Sequence, residues 1–280
     1  MAVIVPCFDD GATVRETVDS VRAQGEPHEL VLVDDGSSDP HTLRVFDELE
    51  REGVRMVHQE NRGLAAARMA GVTATSAPFV LAVDADDRLA PEALRELADT
   101  LDSEPGLALV WGDYRAFGDR SYRQRTADTL DGWQLSFQND LPVVVLVRRE
   151  SLLAAGGWQL RGGYEDWDLW LALAERGHRG RRVPVIAFEY RQHGPRMLSE
   201  SAKRHGETYR VLRERHPELF GRRGKLWRRS PAPLSLRLAL PLLELLPLSR
   251  HRKRLAGGLT CHLAHRRGIA DLWWRLRPLP

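Results

Sequence analysis

Over the first hundred positions the apolar residues fall into two alternating patterns, short continuous runs and segments with an apolar residue every three or four places. Ala2 to Phe8, Glu29 to Asp35, Val54 to His58 and Pro78 to Val83 are of the first kind. Runs of that length without alternation predict strands covered on both faces, as in a parallel sheet. Thr13 to Gln24, with Val14, Val18 and Val21 on one face, is of the second kind and predicts a helix. So does Pro40 to Glu52, with Leu43, Phe46 and Leu49 inward. Asn61 to Gly71 is Ala-rich and helical, and Pro91 opens a further helix. Strand and helix in turn imply βαβ units with right-handed crossovers, an α/β fold with a doubly wound sheet.

The pattern changes at Leu107. Leu107 to Tyr114 predicts a strand, whereas Gly118 to Asn139 is polar, aromatic and irregular, which suits a binding loop more than a packing element. Val143 to Val147 predicts a strand, Glu150 to Ala155 a short helix, Tyr164 to Ala174 a strongly amphipathic helix and Pro184 to Tyr190 a last strand. Beyond Ser199 the chain is helical and basic. Three segments result: 1–105 as a ligand-binding half, 106–200 as the other half of the same domain, and 201–280 as a basic, Leu-rich extension.

Composition narrows the class. At 280 residues and 42% apolar the chain can bury a full core, and its net charge of +2 hides an uneven spread, with clustered Asp early and clustered Arg late. Cys7 and Cys261 have no zinc-like spacing and read as reduced thiols of a cytoplasmic protein. No secretory signal is expected ahead of the first strand, and no apolar run is long enough to span a bilayer.

The chemistry gathers where strands end. Pro78 to Val83 stops in Asp84-Ala85-Asp86-Asp87, and Leu30 to Val33 stops in Asp34-Asp35-Gly36-Ser37. The carboxyl edge of an open α/β sheet is where ligands bind. A polar turn capping the Pro91 helix is the plainer alternative for the first cluster, and the second cluster weakens it. Neither a phosphate-cradling G-x-x-x-x-G-K-[ST] nor a G-x-G-x-x-G follows the first strand, which argues against P-loop and dinucleotide enzymes. Carboxylates instead hold a hard divalent cation, Mg²⁺ or Mn²⁺, that can in turn bind a diphosphate. Glu165-Asp166 stands beside Trp167, Trp170 and Leu171. Desolvation there would raise a carboxylate toward the range of a general base, while a place in a helix's first turn pulls it down. Asp113, at another strand end, could meet a ligand or simply be a loop acid.

Val5-Pro6-Cys7-Phe8, Val31 to Asp39, Asn61-Arg62-Gly63 with Ala67-Arg68, Asp84 to Asp87 and Glu165-Asp166, in that order and spacing, resemble the family-2 glycosyltransferases over about the first 200 residues. The resemblance implies the GT-A fold, a Rossmann-like doubly wound mixed sheet with helices on both faces, and inverting transfer from a nucleoside-diphosphate sugar. By that resemblance Asp34, with Asp35 beside it, binds the nucleobase, flanked by Pro6 and Phe8, and Arg68 belongs to the donor site. Asp84 faces the ribose, Asp86 ligates Mn²⁺ or Mg²⁺ with Asp87 as the alternative, His193 completes the metal site, and Asp166 is the base. Phe8-Asp9 replaces the family's usual Tyr-Asn, and Met69 its usual Asn, so the implied uridine base rests on fewer matched contacts.

The implied acceptor is a glycan, a lipid-linked sugar or a small molecule, in cell-envelope or other polysaccharide biosynthesis. A non-catalytic sugar-nucleotide or glycan-binding protein on the same scaffold is the alternative. Nucleic acid is not an expected partner, because an acidic cleft repels phosphates. Leu234 to Leu246, then Arg250-His251-Arg252-Lys253-Arg254 and Trp273-Trp274-Arg275, give 231–280 two readings: a peripheral contact with an anionic membrane at its cytoplasmic face, or helices docked on the catalytic domain or on the partner of a homodimer.

Overall fold

A computed structural model of the chain describes residues 1–193 and 204–264. Its centre is a sheet of nine strands. β1 (Ala2–Cys7), β2 (Glu29–Asp34), β3 (Arg55–His58) and β4 (Phe79–Ala82) run parallel in the order β3-β2-β1-β4 and are joined by α1 (Val14–Arg22), α2 (Pro40–Arg51) and α3 (Leu64–Thr73). Val3 and Val5 face one core and Ile4 the other, and Leu32 likewise lies opposite Val31 and Val33. Burial on both faces is why these strands show continuous apolar runs instead of alternation.

After β5 (Arg88–Leu89) and α4 (Ala93–Ser103) the sheet turns mixed. β8 (Val145–Arg148) lies antiparallel to β4, and β6 (Leu109–Gly118) antiparallel to β8. β9 (Gly180–Gln192) is parallel to β6 and antiparallel to β5, and β7 (Tyr122–Gln124) hangs on β6. The strands β5 and β7 have two and three residues, too few to leave an apolar pattern in the sequence.

Two inward faces differ from expectation. Leu43 is 40% exposed, and Thr42 is buried in its place. The helix turns this way because the Gly11 N–H donates to Thr42 Oγ1 at 2.9 Å, in a contact so close that a Cβ on Gly11 would lie 2.5 Å from the Thr42 Cα. The helix α7 (Glu165–Glu175) is buried almost all round, not amphipathic, since the sheet covers one side and C-terminal helices the other. Gly71 of α3 matters for the same packing: a Cβ there would lie 2.3 Å from Ile4 Cγ2. Gly71→Ala is expected to lower stability by roughly 1–3 kcal/mol through overpacking, even though Ala favours helix. A thermal melt no lower than wild type would show that α3 can move off β1.

The 118–139 stretch, expected to be irregular, contains β7 and a packed helix. Its helix α5 (Gly132–Leu135) follows Asp131, whose carboxylate accepts the Trp133 N–H, and Trp133 and Leu135 are buried. The short α6 (Arg149–Ala154) leads from β8 toward α7. The C-terminal helices are α8 (His205–Arg215), α9 (Pro217–Gly221), α10 (Arg223–Arg229), α11 (Leu234–Leu245) and α12 (Arg250–Ala264). They dock on the sheet domain, one of the two readings of the extension. Arg215 binds Asp168 of α7 at 2.7 and 2.9 Å, and His216 binds the same carboxylate at 2.9 Å. Against the burial that would raise it, these partners hold the Asp168 carboxyl below the usual range. Tyr209 donates to the Ser136 carbonyl at 2.6 Å, and Leu236 and Leu240 close over Trp133. Gly194, next to His193, and Trp273-Trp274-Arg275 lie outside the described residues.

Candidate active site

All four parallel strands deliver their carboxyl ends to one edge. At the end of β1, Asp9 takes a left-handed backbone (φ +56°), and its Oδ1 accepts the N–H groups of Ser38 and Asp39 at 2.7 and 2.8 Å. The first and second strand turns are thereby stapled together. Phe8 is 46% exposed at the rim. Pro6 is buried inside β1 opposite Val33, so of the pair expected to flank a base only Phe8 is open.

Asp34 and Asp35 are neighbours with opposite duties. Asp34 accepts the Ser37 N–H on Oδ1 at 2.8 Å and meets His58 Nδ1 on Oδ2 at 3.1 Å, and His58 is half exposed. Against partial desolvation, Asp34 and then Glu50 hold the imidazole above its ordinary pKa. Asp35 points down. Its oxygens accept Gln59 Nε2 at 2.6 Å, the Arg62 N–H at 2.9 Å and the Gly63 N–H at 2.8 Å. It is an anchor for the turn into α3, in place of the base contact expected beside Asp34.

Arg68 also departs from the expected donor contact. It is 1% exposed, with Nη2 on Asp84 Oδ1 at 2.8 Å and Nη1 on both Asp166 Oδ1 at 2.9 Å and Glu165 Oε1 at 3.2 Å. One buried cation therefore ties the acid at the end of β4 to the acids that open α7. Despite complete burial, those carboxylates keep the guanidinium charged. Its face lies 5.6 Å from the Trp158 ring, and Trp158 Nε1 donates to Asp166 Oδ1 at 2.8 Å. Tyr164, just before the pair, has φ +67° and a hydroxyl bonded to His205 Nδ1 at 3.0 Å, so a strained turn pinned by α8 sets the direction of α7. Burial pushes the Asp166 carboxyl up to about 7, although the Arg68 charge pulls the other way. The side chain is still 18% exposed.

Beyond Asp84 the turn splits its acids. Asp86 Oδ2 meets His193 Nε2 at 2.9 Å, with both side chains partly open. Burial and the Asp84 charge raise Asp86, and His193 offsets part of that rise. Asp87 faces inward and is fully buried. Its Oδ1 accepts the Arg191 N–H at 2.8 Å, its Oδ2 has no hydrogen-bond partner among the described residues, and burial raises its carboxyl well above the usual range. That placement turns it to the Arg191 backbone, while Asp86 is the acid that meets His193. Among the described residues no set of three His, Cys, Asp or Glu side chains is arranged to hold a metal. Asp86 and His193 supply an oxygen and a nitrogen donor from adjacent strand ends. Two such ligands suit Mn²⁺ or Mg²⁺ that completes its shell with substrate phosphates.

Asp10 joins this group without having been singled out in the sequence. It sits exposed at the rim, but surrounding protein and then the charges of Asp86 and Asp84 push it up to about 6, with His193 opposing. An acid run directly after a strand was its signal. His58 was legible too, from the pairing of β2 with β3 that sets Asp34 opposite it. Trp158 left no signal. The acids form one connected edge: Asp166 to Asp84 through Arg68, Asp84 to Asp86 and Asp10 by charge, and Asp10 and Asp34 both against the Cys7 thiol, which burial foremost pushes up to about 12. Cys7 and Cys261 are both buried. Asp113 is buried away from this edge, held by Arg123, Arg182 and the Thr126 N–H.

The mixed sheet, with paired acids at the ends of its parallel strands and a raised carboxylate at the start of α7, has the GT-A type of fold. The profile of glycosyl transferase family 2 matches residues 2–153, and the chain belongs to that family. It is 29% identical over 270 residues to the O-antigen biosynthesis protein RfbC of Myxococcus xanthus, which covers 86% of this chain but only 20% of that protein. Among solved structures, S. aureus TarS 1–349 in complex with UDP-GlcNAc superposes with a TM-score of 0.66 at 18% identity, over 99% of this chain and 81% of that one. GalNAc-T7 with UDP, GalNAc and Mn²⁺ gives 0.57 at 16% identity, over 69% and 44%. The fold is thus the one implied by the motifs.

Proposed function

We propose that this chain transfers a sugar, with inversion, from a uridine-diphosphate sugar to a hydroxyl of an envelope glycan or its lipid-linked precursor, working at a membrane face. The observation that carries this reading is the Arg68 bridge, which fixes a partly protonated Asp166 opposite the Asp84–Asp86 turn. TarS, solved with UDP-GlcNAc, and GalNAc-T7, solved with UDP and Mn²⁺, support the donor and the cation.

Each residue then has a task. Asp34, oriented by the Ser37 N–H and His58, accepts the base N–H, and exposed Phe8 lies along the ring. Asp84 keeps one oxygen on Arg68 and turns the other to the ribose. Asp86 and His193 would hold a divalent cation, whose charge offsets that growing on the leaving diphosphate. Asp166 has Oδ1 fixed by Arg68 and Trp158, and its Oδ2 takes the acceptor's proton. One displacement from the face opposite the diphosphate inverts the anomeric carbon.

Thermal shift with UDP, GDP, CDP and ADP, each with and without Mn²⁺, tests the donor. UDP with Mn²⁺ at a hundredfold excess over its Kd should stabilise by about 2.7 kcal/mol. Protection by another base, or by none, would sink the uridine assignment. For the metal, Asp86→Asn and His193→Ala are each expected to weaken the Mn²⁺-dependent part of that protection by at least about tenfold. Undiminished protection in both variants would remove these residues as ligands.

A further inference from the structure

The extension docks by one face and leaves another open. Ten large hydrophobic side chains are exposed among the described residues, and seven belong to α11, α12 and the turn between them. Leu234, Leu238, Leu242 and Leu245 recur at four, four and three residues, one face of α11, and are 52–81% exposed. The opposite face carries Leu236 and Leu240, buried against Trp133 and Cys261. On α12, Leu255 and Leu263 are open as well, while Cys261 points inward. Phe8, Leu43 and Leu153, the other three, are scattered singly, which is ordinary for a protein surface. A row on two adjacent helices is not.

Charge says what could cover it. From Leu219 to Ala264 the sequence has ten Lys and Arg and a single acid, Glu244. Lys225, Arg228, Arg229 and Arg252 are exposed. A second copy meeting this one through the leucines would bring two such basic segments together. An anionic lipid surface takes both the leucines and the charge. No described helix is long and apolar enough to cross a membrane, and α11, at 12 residues, is about 18 Å long. An apolar face, a basic sequence on either side of it and short length suit a helix lying in the interface plane.

We propose that α11 and α12 form a docking face for an anionic bilayer leaflet, with the leucine row in the acyl boundary and the basic residues among the headgroups. This deepens the functional reading by naming the surface that brings the site to lipid-linked acceptors. Its test reads binding without turnover, so failure here leaves the transferase assignment standing, and the reverse also holds.

The experiment is co-sedimentation of the full chain with vesicles of phosphatidylcholine alone or mixed with phosphatidylglycerol. Sedimentation with the anionic vesicles should exceed that with neutral ones by at least about tenfold and fall with added salt. The triple variant L238E/L242E/L245E should lose it while keeping the wild-type melting temperature and UDP protection. K225E/R228E/R229E, which leaves the leucines intact, should lose the preference for anionic lipid. Should the triple variant sediment like wild type, or wild type fail to sediment, the proposal is overturned. Self-association of wild type that the triple variant abolishes, without vesicle binding, would reassign the row to a homodimer and overturn it equally.

Discussion

Asp166→Asn is expected to lower transfer by about 10²- to 10⁴-fold, the usual contribution of a positioned general base. Asn keeps an oxygen for Arg68 and Trp158, so the frame that holds residue 166 survives while the proton acceptor is lost. UDP protection in thermal shift should stay as in wild type, because Asp34, Asp86 and His193 do not touch this side chain. The wild-type rate should climb with pH through about 7, where burial places the Asp166 carboxyl, since only the ionised form accepts a proton. Stability should move the opposite way. A carboxyl raised above its unfolded value keeps its proton in the folded state across the interval in which the unfolded chain has released it, so stability falls as pH rises from about 4 to about 7. Asp166→Asn removes that dependence and should melt no lower than wild type at pH 8. Rates within tenfold of wild type, measured by donor hydrolysis or transfer, would end the assignment.

Legibility of the site depended on which way an acid points. The turns after β2 and β4 were readable because an apolar run ending in carboxylates, met twice, points to buried strands reaching the ligand edge. Within each turn the sequence repeats the same residue type, yet Asp34 meets the Ser37 N–H and His58 while Asp35 serves the turn into α3, and Asp86 faces His193 while Asp87 faces the Arg191 N–H. Neighbouring residues in a tight turn project to opposite sides, and composition does not reveal which side is wet. Arg68 was hidden for a related reason. A cation near a diphosphate site suggests phosphate binding, and only the fold shows three carboxylates enclosing it. The mixed half of the sheet was less readable still, because antiparallel β8 between β4 and β6 depends on long-range pairing that no local period records. The extension's docking was half legible: the leucines were evident, but not that Leu236 and Leu240 are the ones buried while Leu234 and Leu238 stay open.

Arg68→Met should be the most damaging single change to stability. The guanidinium is buried, and its removal leaves Asp84, Glu165 and Asp166 facing one another without a counter-charge. Breaking a buried pair by deleting one partner costs about 3–5 kcal/mol, and here one deletion orphans three groups. For a chain of this size that corresponds to a fall in Tm on the order of 10 °C. Methionine fills much of the volume, so the loss would report charge more than cavity. Lysine should recover part of it, since one ammonium cannot span Asp84 on one side and the α7 acids on the other as a planar fork does. The deficit should also shrink toward acid pH. Asp166 releases its proton only near 7, so at pH 5 it is neutral and one of the three repelling charges is gone, whereas at pH 8 all are present. A loss below about 1 kcal/mol at pH 8, the range of an exposed pair, would mean that the three acids relax apart or take up protons without the arginine. The bridge from Asp84 to Asp166 would then be incidental to holding the donor turn and the base in one frame.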